Sequence, residues 1–458
     1  MAGRLTTIRT ISSRPEQRTH RSPSCFKAGD KGRMRILFIT PYFPPEIGAP
    51  QTRIYEQAVR LRNEGHMVAV LTTFPNYPTG IVPKEWKHLM FWAGSDQGVR
   101  VHRFWTYAAP NSGFFRRILS QLSFALLAGI AAFRLPSADV IIVESPPLFN
   151  GIAANLASWV KQAPYVFHIS DLWPETAIQL GVLKNPILIW LSKRLELLSY
   201  RRAAMVVAVT EGIRRSISEI VGPEKVVMLP NAVDTDFFQP HVDGLELRKT
   251  LGICEKKFLV LYAGTLGLGQ QLDVTLEAAA LFQNEGNDVH FVLAGDGAEK
   301  KALQRKAIEM KLSNVSFVAP YPKTCMPQLL KAADCVLVSL RDAPIFHAAL
   351  PTKLFEAMAC ARPVVLAAAG EAEALVRESA AGCCARPGNA KSIHDAIRKV
   401  QLHPAEAEQM GRRARQYMLV NFSRERRVKD LLTLLQRVAP EEPTPPGTSP
   451  AESRATIV

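Results

Sequence analysis

Short runs of apolar, often β-branched residues alternate with longer amphipathic stretches along most of the chain. The short runs have the length of buried strands, and the amphipathic stretches have the apolar spacing of helices that cover a sheet. Regular alternation of the two predicts parallel α/β layers. The predicted strands are 35–41, 67–73, 99–105, 139–144, 164–168 and 205–209, with 226–229 as a possible addition, and then 258–263, 289–294, 315–319, 335–340 and 363–367.

The strands form two series, and the segment Pro230-Asn231-Ala232-Val233-Asp234 separates them. Two such series in one chain predict two doubly wound, Rossmann-like domains, since a chain of 458 residues is long enough for two ordinary cores. We expect the first domain at 34–225 and the second at 226–422. The C-terminal helix at 423–439 should return to the first domain.

The two ends of the chain differ from the rest. Residues 1–33 hold eight basic and two acidic residues, so they carry +6 of the formal charge of +15. This tail lacks apolar periodicity, and we expect it to be disordered, with Met34 as an alternative start; a transit peptide is the other interpretation. The Pro-rich polar segment 440–458 is also expected to be disordered. Because so much of the charge lies in the tail, it does not indicate a nucleic-acid partner.

Seven scattered cysteines without a C-x-x-C pair favour reduced thiols in a cytoplasmic compartment. No spacing of His, Asp and Cys predicts a metal site, and the glycines at 264–269 do not make the G-x-G-x-x-G pattern of a dinucleotide site. We therefore expect neither a metal nor a cofactor.

The strongest candidate for chemistry is the segment 350–360. Pro351 suits the first turn of a helix, and the free amides of that turn, beside Lys353, would bind phosphate. Glu356 lies one turn further, where its carboxylate could accept hydrogen bonds from two ribose hydroxyls. One helix could thus hold both halves of a nucleoside diphosphate; an ordinary crossover helix is the alternative.

Two further places carry candidate residues. Gly48 follows the first strand, in a turn that could admit a phosphate or simply allow a tight bend. His168 and Asp171 lie at the carboxyl end of a predicted strand, where open α/β sheets place ligand-binding groups. Packing for His168 and helix capping for Asp171 are the structural alternatives.

The segment 350–360, together with 41–49, 168–175, 230–234, 262–267 and 294–297 in this order, resembles family 4 glycosyltransferases of the GT-B architecture. The likeness is greatest to bacterial capsule, colanic-acid and O-antigen enzymes with a Pro-Ser/Thr-Lys donor site. It implies a retaining transferase in which Gly48, Asn231, Gly264, Thr265, Gly295, Lys353 and Glu356 bind the donor, and His168 and Asp171 act in catalysis. It favours a UDP-sugar donor and a saccharide or lipid-linked saccharide acceptor.

The chain departs from the family pattern twice. Ala348 stands where the family often has a glutamate eight residues before Glu356, so that role is unfilled or falls to Asp342 or His347. Thr265 and the uncharged run 268–271 stand where the family commonly has an arginine and a lysine. Lys353 is then the leading cation for the diphosphate.

Residues 116–135 enclose sixteen uncharged, mostly apolar positions between Arg117 and Arg134. This run is shorter than the roughly 20 residues of a spanning helix, so we expect no transmembrane segment. A buried crossover helix and an interfacial helix with basic ends remain as alternatives. The second would make the protein peripheral on the cytoplasmic face of the membrane.

The sequence thus favours a glycosyltransferase. A non-hydrolysing sugar-nucleotide epimerase or a phosphorylase of the same architecture is the alternative enzyme. A non-catalytic sugar-nucleotide-binding protein is the alternative from another class, and Ala348 is the residue that suggests it.

Overall fold

The computed structural model describes residues 33–46, 48–77, 79–109, 114–179, 181–254, 256–286 and 288–440. The predicted disorder of 1–33 and 440–458 falls almost wholly outside these ranges. Within them the chain forms two sheets covered by helices on both faces.

The first sheet has eight strands in the order β3-β4-β2-β1-β5-β6-β7-β8. The strands are β1 Arg35–Ile39, β2 Met67–Thr73, β3 Phe91–Asp96, β4 Val99–Phe104, β5 Val140–Ser145, β6 Tyr165–Ile169, β7 Met205–Ala208 and β8 Val226–Met228. Its helices are α1 Ala49–Asn63, α2 Phe114–Ala132, α3 Asn150–Lys161, α4 Glu175–Gln179, α5 Pro186–Arg202 and α6 Glu211–Val221. All pairings are parallel except β3 with β4.

The second sheet has six parallel strands in the order β11-β10-β9-β12-β13-β14. The strands are β9 Phe258–Ala263, β10 Val289–Ala294, β11 Val315–Val318, β12 Cys335–Ser339, β13 Val364–Ala367 and β14 Gly382–Cys384. The helices are α7 Leu245–Thr250, α8 Asp273–Asn284, α9 Lys300–Glu309, α10 Met326–Ala332, α11 Pro344–His347, α12 Thr352–Ala359, α13 Glu371–Ser379, α14 Ala390–Leu402, α15 Pro404–Asn421 and α16 Arg424–Val438.

Two strands were missing from the sequence prediction. β3 is a half-exposed edge strand without a buried apolar run, and it is joined to β4 through Gln97 and Gly98, both at positive φ. Positive φ at both positions suits a tight hairpin, but glutamine is an uncommon residue there. β14 has only three residues, two of them cysteines. Neither segment carries the pattern by which strands are recognised.

Buried apolar residues fill both faces of each sheet. On one face of the first sheet, α2, α3 and α5 contribute to a single core cluster. On its other face, Val428, Leu431 and Leu435 of α16 pack with Ile36 and Phe38 of β1. The last helix of the chain therefore covers the first sheet.

One stretch of the described chain, Phe115–Ala132 in α2, has the length and apolar composition that a membrane-crossing helix needs. A core helix can meet the same two criteria. Phe124, Ala128 and Ala132 are buried in the first core, while Leu119, Leu126 and Ile130 are exposed. One edge of α2 is therefore core, and the other faces outward.

In each sheet the strand order reverses beside the first strand, between β1 and β5 and between β9 and β12. Open α/β sheets bind ligands outside the carboxyl ends of the strands at such a reversal. The loops after β1 and β9 are therefore the places where a site is expected.

Candidate active site

A cleft of about 610 Å³, here called the central cleft, lies where the carboxyl ends of the two sheets meet. Residues from both sides line it: Gly48, Thr52, Arg53, Asn231, Ala232, Val233, Ala263, Gly264, Thr265, Gln270, Ala294, Gly295, Asp296, Pro320, Tyr321, Lys323, Met326, Leu329, Thr352, Lys353, Phe355, Glu356 and Arg424. All seven residues predicted to bind the donor are in this set.

Helix α12 carries the two charged residues of the predicted donor site. Its apolar side is buried against the core of the second sheet through Leu354, Phe355 and Met358. This packing fixes the helix so that Lys353 and Glu356 line the cleft. The first amides of a helix lack partners within it, so the start of α12 presents donors beside Lys353.

Burial favours the neutral form of both charged groups and shifts their pKa values toward 7. Burial lowers the pKa of Lys353 to about 7, against a smaller effect of Glu356 that raises it. Burial raises the pKa of Glu356 to about 7, opposed by the positive charges of Lys323 and Lys353. Lys353 Nζ donates to the hydroxyl of Tyr262 at 2.5 Å and lies 4.0 Å from the centre of its ring. Its hydrogen-bond partner is thus neutral, which leaves its charge available for an anion.

Two glycines allow the loops after β9 and β10 to approach each other and Lys353. Gly264 has φ +145°, and a Cβ atom there would lie 2.9 Å from Lys353 Nζ. Gly295 has φ +159°, and a Cβ atom there would overlap the carbonyl oxygen of Gly264. Side chains at either position would displace the loops that form the floor of the cleft.

The opposite wall is built around Arg53 of α1. Its guanidinium donates to Asn231 Oδ1 at 2.5 Å and to Ser170 Oγ at 2.9 Å, and it forms an ion pair with Glu144. Ser170 Oγ in turn donates to Glu144 Oε1 at 3.1 Å. Burial lowers the pKa of Arg53 to about 10. Asn231, predicted to bind the donor, therefore also ties the segment between the sheets to α1.

The predicted catalytic residue His168 lies beside this wall. His168 is buried and lines a small adjoining cavity of about 30 Å³ that it shares with Arg53, Asn231 and Arg424. Burial, and to a lesser extent Arg53, hold the pKa of His168 well below its usual value, so its ring is neutral.

Asp171 accepts a hydrogen bond from Thr176 Oγ1 at 2.8 Å, and burial raises its pKa. Neither His168 nor Asp171 is among the residues that line the central cleft. The structure therefore brings the seven predicted donor residues together, and neither predicted catalytic residue joins them in the cleft lining.

Neither Asp342 nor His347, the two candidates to replace the family's missing glutamate, lines the central cleft. The Cβ of Ala348 lies against Gly212 at the start of α6. Asp342 Oδ1 and His347 Nε2 are 2.8 Å apart and pair with each other, away from the cleft lining. Within the described ranges, no group of three or more His, Cys, Asp or Glu side chains could hold a metal ion.

Sequence reasoning missed three basic residues that line the cleft, namely Arg53, Lys323 and Arg424. In the sequence each resembles an ordinary surface cation on an amphipathic helix or in a loop. Their partners are distant: Arg424 pairs with Glu56 and Asp234, and Lys323 pairs with Glu56. These three residues could have been predicted as cleft residues only if the acidic residues that face them had been known.

Two sequence families match the chain. Residues 48–232 match the glycosyl transferase 4-like domain, and residues 244–417 match the glycosyl transferases group 1. The chain is 27% identical over 383 residues to WcaI of Escherichia coli K12, which is named as a colanic acid biosynthesis glycosyl transferase. This similarity covers 81% of the chain and 93% of WcaI.

Solved structures give the same fold. Alr3699/HepE of Anabaena, in complex with UDP and glucose, superposes with a TM-score of 0.67 at 21% identity, over 88% of this chain and 100% of that one. The sucrose-phosphate synthase of Thermosynechococcus elongatus superposes with a TM-score of 0.70 at 17% identity, over 88% and 99%. The two family matches together span 48–417 with one short interval. The chain therefore belongs to the group 1 glycosyltransferases with a glycosyl transferase 4-like domain, and it has the GT-B fold.

Proposed function

We propose that this glycosyltransferase retains the anomeric configuration and moves a sugar from a UDP-sugar to a lipid-linked or growing saccharide of a cell-surface polysaccharide. The observation that carries the proposal is the pair Lys353 and Glu356 on one helix at the central cleft. The complex of HepE with UDP and glucose and the name of WcaI support the choice of donor and pathway class.

The second sheet and its helices hold the donor in this proposal; the predicted boundary at 225/226 moves past β8, because Val226–Met228 pairs with β7 in the first sheet. Glu356 accepts hydrogen bonds from the ribose hydroxyls, and the amides of α12 with Lys353 bind the diphosphate. Gly264, Thr265 and Gly295 lie along the diphosphate and sugar, and Gly48 approaches from the first domain. Positive charge and helix amides stabilise the diphosphate as it leaves, which is the main electrostatic task of the reaction.

The first domain, 34–225, holds the acceptor. A cavity of about 410 Å³ in this half is lined by Phe74, Trp86, Trp105 and Tyr107, among others. Apolar and aromatic walls with a few polar groups are typical of small-molecule sites. His168 and Asp171 do not line the open cleft, so in this proposal closure of the cleft brings them to the sugar side of the donor. The same closure excludes water and aligns the acceptor hydroxyl.

Contact with the cytoplasmic face of the membrane is the third part of the proposal. The helices α2, α3 and α5 lie on one face of the first sheet. They carry exposed apolar residues on the outside: Phe115, Leu119, Leu126, Ile130, Trp159, Ile187, Trp190 and Leu191. An apolar surface with basic residues beside it suits an anionic lipid surface, where a lipid-linked acceptor would be found.

A thermal-shift screen of nucleotide sugars, followed by a transfer assay, tests this function. A donor at 100 times its dissociation constant should stabilise the protein by about 2.7 kcal/mol. We expect stabilisation by a UDP-sugar and transfer that depends on an acceptor, with the anomeric configuration of the donor retained.

Conversion of the donor without any acceptor would instead identify an epimerase. If the protein binds the donor but neither transfers the sugar nor slowly hydrolyses the donor, it is a binding protein. Stabilisation by GDP-sugars alone would contradict the choice of UDP.

A further inference from the structure

Lys323 is a cation of the central cleft that the donor site described above does not use. It begins a short turn, Lys323–Cys325, after β11 and lines the cleft together with Lys353 and Glu356. Its side chain is 30% exposed, and its Nζ lies 3.6 Å from Glu56 Oε1 on α1. The second half of the molecule thus extends a lysine across the cleft to a carboxylate of the first half.

The other cations of the cleft either have closer or more numerous polar partners than Lys323 or have a neutral partner. Arg53 is buried and bonded to Glu144, Ser170 and Asn231. Arg424 pairs with both Glu56 and Asp234. Lys353 donates to the neutral hydroxyl of Tyr262. Lys323 is therefore the cleft cation whose carboxylate contact, at 3.6 Å, is longer than a hydrogen bond and easiest to exchange.

A diphosphate needs more positive charge than Lys353 supplies. It brings more than one negative charge into a cleft that already holds Glu356. Thr265 and the uncharged residues 268–271 stand where the family resemblance leads one to expect an arginine and a lysine. A half-buried ammonium that leaves one anion must find another, because a buried charge without a partner is costly.

We propose that Lys323 is a second cation for the diphosphate and that Glu56 competes with the donor for it. The inference rests on the proposed function, since it assumes a nucleoside diphosphate in the cleft. When the donor binds, the ammonium of Lys323 exchanges the carboxylate of Glu56 for a phosphate oxygen. Glu56 keeps Arg424 as its partner, so the exchange leaves no carboxylate unpaired.

The proposal predicts that substitutions of Lys323 and Glu56 change UDP affinity in opposite directions. Lys323→Ala should weaken UDP binding by about tenfold or more, since a charge-assisted contact is lost. Glu56→Gln should tighten UDP binding by about threefold to tenfold, because it frees the lysine without adding a charge. The double variant should bind UDP as Lys323→Ala does. Uridine, which has no phosphate, should bind all four proteins alike.

Isothermal calorimetry of the full chain with UDP and with uridine measures these affinities. Glu64→Gln, at the exposed end of the same helix, is the matched control and should change neither. Thermal unfolding of each variant establishes that it is folded.

Four results would overturn the proposal. Unchanged or weaker UDP binding by Glu56→Gln would make the pair a structural contact. A gain that persists in the double variant would assign the effect to Arg424. Equal changes for uridine and UDP would mean that Lys323 acts through Glu356. Absence of UDP binding by the unaltered protein would overturn the proposed function as well, whereas normal UDP binding without the gain overturns this inference alone.

Discussion

The two walls of the central cleft are built in different ways. On the donor side, Lys353 and Glu356 are three residues apart on one helix, and Gly264 and Gly295 end two adjacent strands. On the opposite side, Arg53, Glu144, Ser170 and Asn231 come from four separate segments and are joined by ion pairs and hydrogen bonds. Local motifs predicted the named residues of the donor wall, whereas of the four residues joined by long-range polar contacts only Asn231 was predicted.

The largest expected effect tests the donor wall directly. Glu356→Ala should weaken UDP binding by about 2–4 kcal/mol and abolish most transfer, because two hydrogen bonds from ribose to a charged group are lost. The fold should survive, since the lost contacts are to ligand. Calorimetry measures the affinity, and Glu373→Ala, a surface glutamate paired with Arg377, is the control. Unchanged UDP affinity in Glu356→Ala would remove the ribose role.

The second prediction separates the two halves of the donor. Lys353→Ala should cost about 1.5–3 kcal/mol in binding UDP and leave uridine binding nearly unchanged, because the proposed contact is to phosphate alone. Lys301→Ala, on the exposed side of α9, serves as the control. If uridine lost as much affinity as UDP, the substitution would have disturbed α12 instead of removing a phosphate contact.

A third prediction uses the pKa of Lys353, which burial lowers to about 7. Only the protonated lysine attracts phosphate, so its titration should lower UDP affinity as the pH rises above 7, by up to about tenfold per pH unit. Glu356, whose pKa is also about 7, ionises in the same range and opposes part of this fall, so the comparison with Lys353→Arg isolates the lysine. The terminal phosphate is already ionised in this range, since its second pKa is about 6. Lys353→Arg should flatten the profile, because a guanidinium stays charged. Parallel profiles for the two proteins would mean that another group titrates.

The parts of the fold that the sequence predicted are those with a strong local pattern. The buried parallel strands, the helix α12 and the division into two doubly wound halves belong to this class, whereas the GT-B architecture was implied by the family resemblance. β3 and β14 were not predicted, because a half-exposed edge strand and a three-residue strand carry no apolar run. The errors of the strand prediction therefore lie at the outer edges of the two sheets.

The residues of the site likewise include some that the sequence predicted and some that it did not. The seven predicted donor residues all line the central cleft, but Arg53, Lys323 and Arg424 join them without having been predicted. Their roles depend on the side chains of Glu56, Glu144 and Asp234, which the fold brings near from far along the chain. Pairing of this kind cannot be deduced from spacing, because it is created by the packing of α1 and α16 against the first sheet.

The fourth prediction concerns the wall that the sequence described least well. His168 is buried and neutral, so it can act on the donor sugar as a hydrogen-bonding group, for about 1 kcal/mol. His168→Asn should lower kcat/KM roughly fivefold and leave UDP affinity unchanged. His290→Asn, in the second sheet and away from the cleft, is the control. A loss of UDP affinity would place the effect in the Arg53 wall, and no loss of transfer would make His168 a packing residue.

The smallest effects are expected on the outside of the first domain, far from either wall. Arg116 and Arg134 are exposed at the two ends of α2, whereas Arg117 lines a small cavity with Tyr42. A basic residue near anionic lipid contributes roughly 1 kcal/mol, an attraction that salt screens within about 10 Å, while the apolar face adds a part that resists salt.

Protein beginning at Met34, which lacks the basic tail, should therefore float with anionic liposomes at low salt. Floating should decrease at high salt and in Arg116→Glu/Arg134→Glu, while Arg305→Glu on α9 of the second half should change nothing. If that shortened protein stays in solution with anionic liposomes at low salt, the exposed edge of α2 does not bind lipid and the acceptor need not lie in a membrane.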